Sequence, residues 1–148
     1  MNRICAVALL ACFVVPLSVF SGDGKKGGEN TNGVWVVVSG ELGGKKLPEE
    51  NFKNFTLTLK DGKYIVDADG KIDKGTYKAY LDKKPKALDV TGTEGPNKGK
   101  KFLAIFELKG NRMRVCYDLA GKKRPREFAT KPDTSLFLVT YKRAKKKV

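Results

Sequence analysis

The sequence predicts an all-β domain, an eight-stranded antiparallel up-and-down barrel that follows an N-terminal signal peptide. Three observations carry that prediction. Apolar and polar residues alternate at period two in one short run after another, which is the pattern of half-buried strands. Glycine next to Asp or Asn separates several of these runs and suits tight hairpin turns. Beyond the leader, no stretch has the length or periodicity of a crossover helix, so neighbouring strands must be antiparallel.

The leader comes first. Arg3 supplies a positive start, Ile4 to Val15 is an unbroken apolar stretch, and Pro16 interrupts it. Val19-Phe20-Ser21 then places suitable residues ahead of a cleavage point before Gly22, the layout of a secretory signal peptide. An uncleaved anchor is the alternative, because Ile4 to Phe20 approaches the shortest span of a bilayer. Pro16 and Ser18 near its end favour cleavage. Lipoprotein processing at Leu9-Leu10-Ala11-Cys12 is disfavoured, since it would leave Phe13-Val14-Val15 on the exported end. The expected organisation is a signal peptide over 1–21, a flexible Gly, Lys and Asn linker over 22–32, a barrel over 33–143 and a basic tail over 144–148.

Inside the domain, Val34 to Ser39 is a β-branched run that opens the first strand. Pro48 to Lys53 reads as a helical turn, with Glu49 and Glu50 placed to complement its dipole. Phe55, Leu57 and Leu59 alternate with Thr56, Thr58 and Lys60. Tyr64 to Asp67, Thr76 to Leu81, Ala87 to Thr91, Phe102 to Leu108, Arg112 to Asp118 and Leu136 to Lys142 complete the eight. Asp61-Gly62 and Gly110-Asn111 are expected to be two-residue loops, and Asp69-Gly70 a longer connection. If Gly110-Asn111 is the whole loop, Leu108 faces Met113 and Phe106 faces Val115 on the inner side. Glu107 then faces Arg114, and Ile105 faces Cys116, on the outer side. A meander of this kind removes its exposed edges by closing.

Several segments together resemble one family. They are Gly33-Val34-Trp35, Gly43-Gly44-Lys45-Lys46-Leu47-Pro48, Gly75-Thr76-Tyr77 and Lys84-Pro85-Lys86-Ala87-Leu88-Asp89. Gly95-Pro96-Asn97-Lys98-Gly99-Lys100, Ile105-Phe106-Glu107-Leu108-Lys109-Gly110, Arg114-Val115-Cys116-Tyr117, Arg124-Pro125-Arg126-Glu127-Phe128 and Lys142-Arg143 continue the series in order. The set resembles a planctomycete-expanded family of secreted, lipocalin-like domains of unknown function. The resemblance implies a lipocalin-like barrel and export, and no activity. Gly33-x-Trp35 also resembles the lipocalin opening, in which the indole plugs one barrel end beneath a cation from the last strand. Arg143 is the expected cation, and Gly33, Trp35 and Arg143 form the expected structural plug.

Catalysis finds little support. The chain has no His, and Ser39 and Ser135 are the only serines beyond the processing site. The commonest general base is therefore absent, and so is any Ser-His or Cys-His pair. Cys5 and Cys12 leave with the leader, so Cys116 can form no intramolecular disulfide. It could act as a nucleophile activated by Arg112 or Arg114, but an inert packed thiol is the better reading. Asp67 to Asp73 mimics part of a calcium loop. In that register Ile65 and Thr76 occupy the first and last ligand positions, so an acidic turn is expected and no metal. No cofactor is expected. Asn54-Phe55-Thr56 fits the glycosylation sequon, which a bacterial source would make coincidental.

Binding remains. Phe55, Leu57, Leu59, Tyr64, Val66, Ala104, Phe106, Val115 and Tyr117 share one inner face, and either line a ligand cavity or pack it shut. The expected function is an exported non-catalytic binding or accessory module with a small apolar ligand. The alternative follows from charge: Lys and Arg number 30 against 16 acids, a net +14. A basic envelope-associated module would bind acidic polysaccharide or lipid headgroups, and needs the clusters Lys122–Arg126 and Lys142–Lys147 to merge. An exported chain without a nucleic-acid motif is not expected to bind nucleic acid, and no stable transmembrane anchor is expected. Exported with its own leader, the protein should begin at or near Gly22 by N-terminal sequencing. An intact Met1 form in the membrane fraction is the contrary result.

Overall fold

The computed structural model describes residues 30–145. Residues 1–29, which include the expected signal peptide and most of the expected linker, and residues 146–148 lie outside the described residues. Nine strands follow in order: β1 (Gly33–Leu42), β2 (Lys45–Lys46), β3 (Phe55–Lys60), β4 (Lys63–Ala68), β5 (Lys71–Tyr80), β6 (Lys86–Glu94), β7 (Lys101–Lys109), β8 (Arg112–Asp118) and β9 (Leu136–Arg143). Every pairing between them is antiparallel, each long strand pairs with the next, and β1 also pairs with β9. The result is a closed eight-stranded up-and-down barrel, with β2 a two-residue extension folded back on the end of β1. Among the described residues there is one 3-10 turn, Glu49–Asn51, and no helix long and apolar enough to cross a membrane.

Turn chemistry sets the register. Asp61 and Gly62 both take positive φ (49° and 80°), as a two-residue I′ turn requires. Asp69 and Gly70 do the same (54° and 81°), so the longer connection expected there is a tight hairpin. The sequence hid this because β5 begins at Lys71, five residues before its apolar alternation becomes visible at Thr76. Its early inward positions are Asp73 and Gly75 rather than large apolar residues. At Gly110-Asn111 the register is Lys109↔Arg112, Leu108↔Met113, Glu107↔Arg114, Phe106↔Val115 and Ile105↔Cys116, as the two-residue loop predicts. Closure needs a bend in β1. The ladder with β9 slips between Val37 and Ser39, so one half of β1 also pairs with β3 and the other half curls along β9.

One face of each strand supplies the interior. Trp35, Leu57, Leu59, Tyr64, Leu88, Ala104, Phe106, Met113, Val115, Val139 and Tyr141 form its buried cluster. The end nearest Gly33 is closed. Trp35 is fully buried there, and the Arg143 guanidinium carbon lies 4.3 Å from its ring centroid. The same guanidinium donates to the carbonyls of Asn32 (2.6 Å) and Asn30 (3.0 Å), and the indole donates to the Thr31 carbonyl (2.9 Å). Residues 30–32, assigned to the flexible linker from sequence, are thus tied across the barrel end. Gly33 has φ 140°, and a Cβ there would sit 2.6 Å from an Arg143 nitrogen. The glycine lets the arginine lie flat.

Arg143→Ala removes a cation–π contact worth about 0.5–2 kcal/mol and two charge-assisted hydrogen bonds. We expect a net loss of about 2 kcal/mol in urea unfolding, with a matching rise in Trp35 fluorescence exposure. An unchanged midpoint would deny the plug any role in stability.

Candidate ligand cavity

Between the plug and the opposite end, or mouth, the barrel is not filled. A cavity of about 140 Å³ remains. Alternation along the strands dictates its wall. Phe55, Leu57 and Leu59 come from β3, Tyr64 and Val66 from β4, and Val115 and Tyr117 from β8. These are seven of the residues that periodicity marks as ligand-lining. Ala104 and Phe106 belong to the same inner face but do not reach the cavity. Both sit in the buried cluster outside the cavity wall, and their assignment to that wall is corrected.

The wall also holds residues that the period-two runs did not single out. Tyr77, Leu88, Val90, Phe137 and Tyr141 are inward by the same rule. Extending the alternation to β5, β6 and β9 would have found them. Asp73, Asn97 and Thr31 gave no such signal, because a buried aspartate and two loop residues have no periodicity to reveal them.

Asp73 organises the mouth. It points inward from β5 and accepts from the Tyr64 hydroxyl (3.1 Å), the Asn97 backbone N–H (3.0 Å) and the Asn97 side-chain amide (3.0 Å). The 95–100 connection is thereby drawn over the barrel end. Two inward glycines make this possible. A Cβ on Gly92 would lie 1.9 Å from the Asn97 carbonyl oxygen, and one on Gly75 would lie 2.5 Å from the Tyr64 ring. On the far wall, the Tyr117 and Tyr141 hydroxyls share a 3.3 Å hydrogen bond. Burial pushes both phenols up, and Tyr64 is raised by burial and then by the Asp73 charge beside it. All three therefore carry neutral hydroxyls at ordinary pH.

Cys116 lies on the other side of the sheet. It is fully buried on the outer face beneath the connection between β8 and β9. That connection forms a strap. Asp118 starts it by accepting from the N–H groups of Ala120, Lys122 and Lys123. Arg124 pins it through the Leu88 and Ala104 carbonyls (2.9 Å each) and the Asp89 carboxylate, which also accepts from Tyr80. Further on, the Phe128 ring packs 4.4 Å from the Arg114 guanidinium carbon, and the Cys116 thiol donates to the Ala129 carbonyl (3.6 Å). Glu107 and Arg114 make the expected outer-face ion pair at 2.8 Å, but with Phe128 beside the arginine rather than open solvent. Burial pushes the Cys116 thiol up, and the nearby Arg114 charge does not reverse it. A thiol held protonated under a strap is a poor nucleophile. Among the described residues, no three His, Cys, Asp or Glu side chains gather where they could hold a metal ion. The chain matches no family model, no curated protein and no solved structure.

Burial raises the Asp118 and Asp89 carboxyls, but hydrogen bonds outweigh it in both. Three backbone N–H groups lower Asp118, and Arg124 and Tyr80 lower Asp89. Both therefore end below the usual aspartate range. Their stabilisation is complete above the unfolded value of about 3.9 and is lost as pH falls through the lower folded values. Urea midpoints should accordingly drop as pH goes from about 5 to 2, and Asp118→Asn should flatten that slope. An unaltered slope in the variant would contradict the anchoring role.

Proposed function

We propose that this chain is an exported, non-catalytic binding module of the secreted lipocalin-like kind, whose barrel holds one small, largely apolar ligand. The observation that carries this reading is the cavity of about 140 Å³ between the Trp35 plug and the Asn97 loop. An apolar cavity of roughly that size in a well-packed protein stays dry and binds benzene. Leaving it unfilled costs stability, about 24 cal/mol per Å³ in measured cases, so a domain with no disulfide gains by occupying it. The Trp35–Arg143 stack at the closed end supports the lipocalin-like kinship implied by the ordered sequence segments. An inert outer-face Cys116 and a chain without His support the non-catalytic part of the reading.

A second reading has its own observation. The register lines up Lys109, Arg112 and Lys142 as direct cross-strand neighbours on the outer face near the closed end. Like charges placed side by side repel, and a polyanion would relieve them. The pair of clusters expected from sequence fits this less well. Arg124 is pinned to the barrel by Leu88, Ala104 and Asp89, and the Lys122 and Lys123 backbones are held at the mouth end by Asp118.

Thermal unfolding in the presence of benzene separates the two. Under the cavity reading the melting temperature rises with ligand, by the equivalent of about 2.7 kcal/mol at a hundred times Kd. Val90→Phe, which fills the wall, should abolish the rise. No rise in the native protein, together with salt-dependent retention on an anionic polysaccharide matrix that Arg112→Glu weakens, would favour the polyanion reading instead.

A further inference from the structure

The chain holds 30 Lys and Arg residues against 16 acids, yet among the described residues no basic side chain lines the cavity. Among the described residues, the one charged group in its wall is Asp73. That carboxylate is buried, and Tyr64 and the two Asn97 donors that hold it are neutral. Aromatic rings make up much of the remaining wall, among them Phe55, Tyr77, Phe102, Tyr117, Phe137 and Tyr141. A ring presents a negative face, so aromatic faces and a carboxylate act on a guest with the same sign.

We infer that the barrel cavity binds a small organic cation with a methylated ammonium head, held by aromatic faces and by the charge of Asp73. This ligand class rests on the proposal that the cavity holds a guest, and narrows it. Three physical points favour such a cation over other guests of similar size. A carboxylate buried against an apolar space carries a desolvation penalty that a neutral guest would leave in place and a cation would offset. A primary ammonium brings three N–H donors that each need an acceptor. Here the Asp73 oxygens already accept three hydrogen bonds, and the Tyr117 and Tyr141 hydroxyls are paired with each other. A quaternary ammonium needs no acceptor and is close to benzene in bulk, which suits about 140 Å³. The net charge of +14 opposes the approach of a cation from afar. Physiological salt screens exposed charges beyond about 8 Å, whereas Asp73 faces the guest across the cavity itself with little screening.

Isothermal titration of the full mature chain tests this with choline and with its neutral carbon isostere, in which a tert-butyl group replaces the trimethylammonium head. Choline should bind at least about tenfold more tightly than the isostere. Asp73→Asn should weaken choline more than it weakens the isostere, so that the ratio of the two affinities falls toward one. If the variant fails to fold, the comparison of the two ligands on the native chain stands by itself. An isostere that binds as well as or better than choline overturns the cation inference and leaves the apolar cavity intact. Choline binding that persists unchanged in Asp73→Asn also overturns it. If neither compound binds at millimolar concentration, and benzene gives no thermal shift, the cavity reading falls as well.

Discussion

The contact of Arg143 with Trp35 is the interaction on which the rest of the barrel depends. The two residues face each other in the ladder between β1 and β9, the pairing that turns an open meander into a closed ring. Their stack joins the first and last strands where the ring shuts, and the arginine's remaining donors tie residues 30–32 across the opening. A closed ring has no free edge, so no other device is needed to protect these strands from pairing with another chain. It also fixes which face of every strand points inward, because strand alternation leaves no freedom once one inward residue is set.

The interior that results is not uniformly apolar. Asp73, Gly75 and Gly92 occupy inward positions near the mouth, where large apolar residues would otherwise pack. Each has a geometric reason. Gly75 receives the Tyr64 ring, Gly92 receives the Asn97 backbone, and Asp73 supplies the acceptors that hold both groups in place. The space left between this polar cluster and the packed layer of Trp35, Ala104 and Phe106 is the cavity. An eight-stranded barrel is just wide enough for side chains to fill, so even a few small residues on one wall leave room for a guest.

A second, smaller core lies outside the ring. Ala87, Ile105 and Cys116 are buried although they face away from the barrel axis, and the strap between β8 and β9, with buried Pro125 and its neighbour Phe128, covers that side. Asp118 at its start and Arg124 along its length replace the regular hydrogen bonding that a structureless segment lacks. Part of the chain's large positive charge is therefore structural. Arg143 and Arg124 are bound to carbonyls and aromatic rings, whereas Lys109, Arg112 and Lys142 stand in a row with like neighbours.

Much of this was legible in the sequence, because its signals were local. Period-two alternation placed the strands, and Gly110-Asn111 set the register that carries Phe106 inward and Cys116 outward. Gly33-x-Trp35 with a cation near the end of the last strand marked the plug. The beginning of β5 was not legible, since inward positions held by Asp73 and Gly75 break the apolar alternation. Nor was the strap, whose order comes from single side chains bonding main-chain groups, near ones for Asp118 and distant ones for Arg124. The cavity was beyond sequence for a related reason. Alternation says which residues face inward, but whether Ala104 and Phe106 meet in a packed layer while Tyr77 and Val90 face a void depends on how opposite walls approach one another. That distance belongs to the closed ring as a whole, and only the tertiary structure decides it.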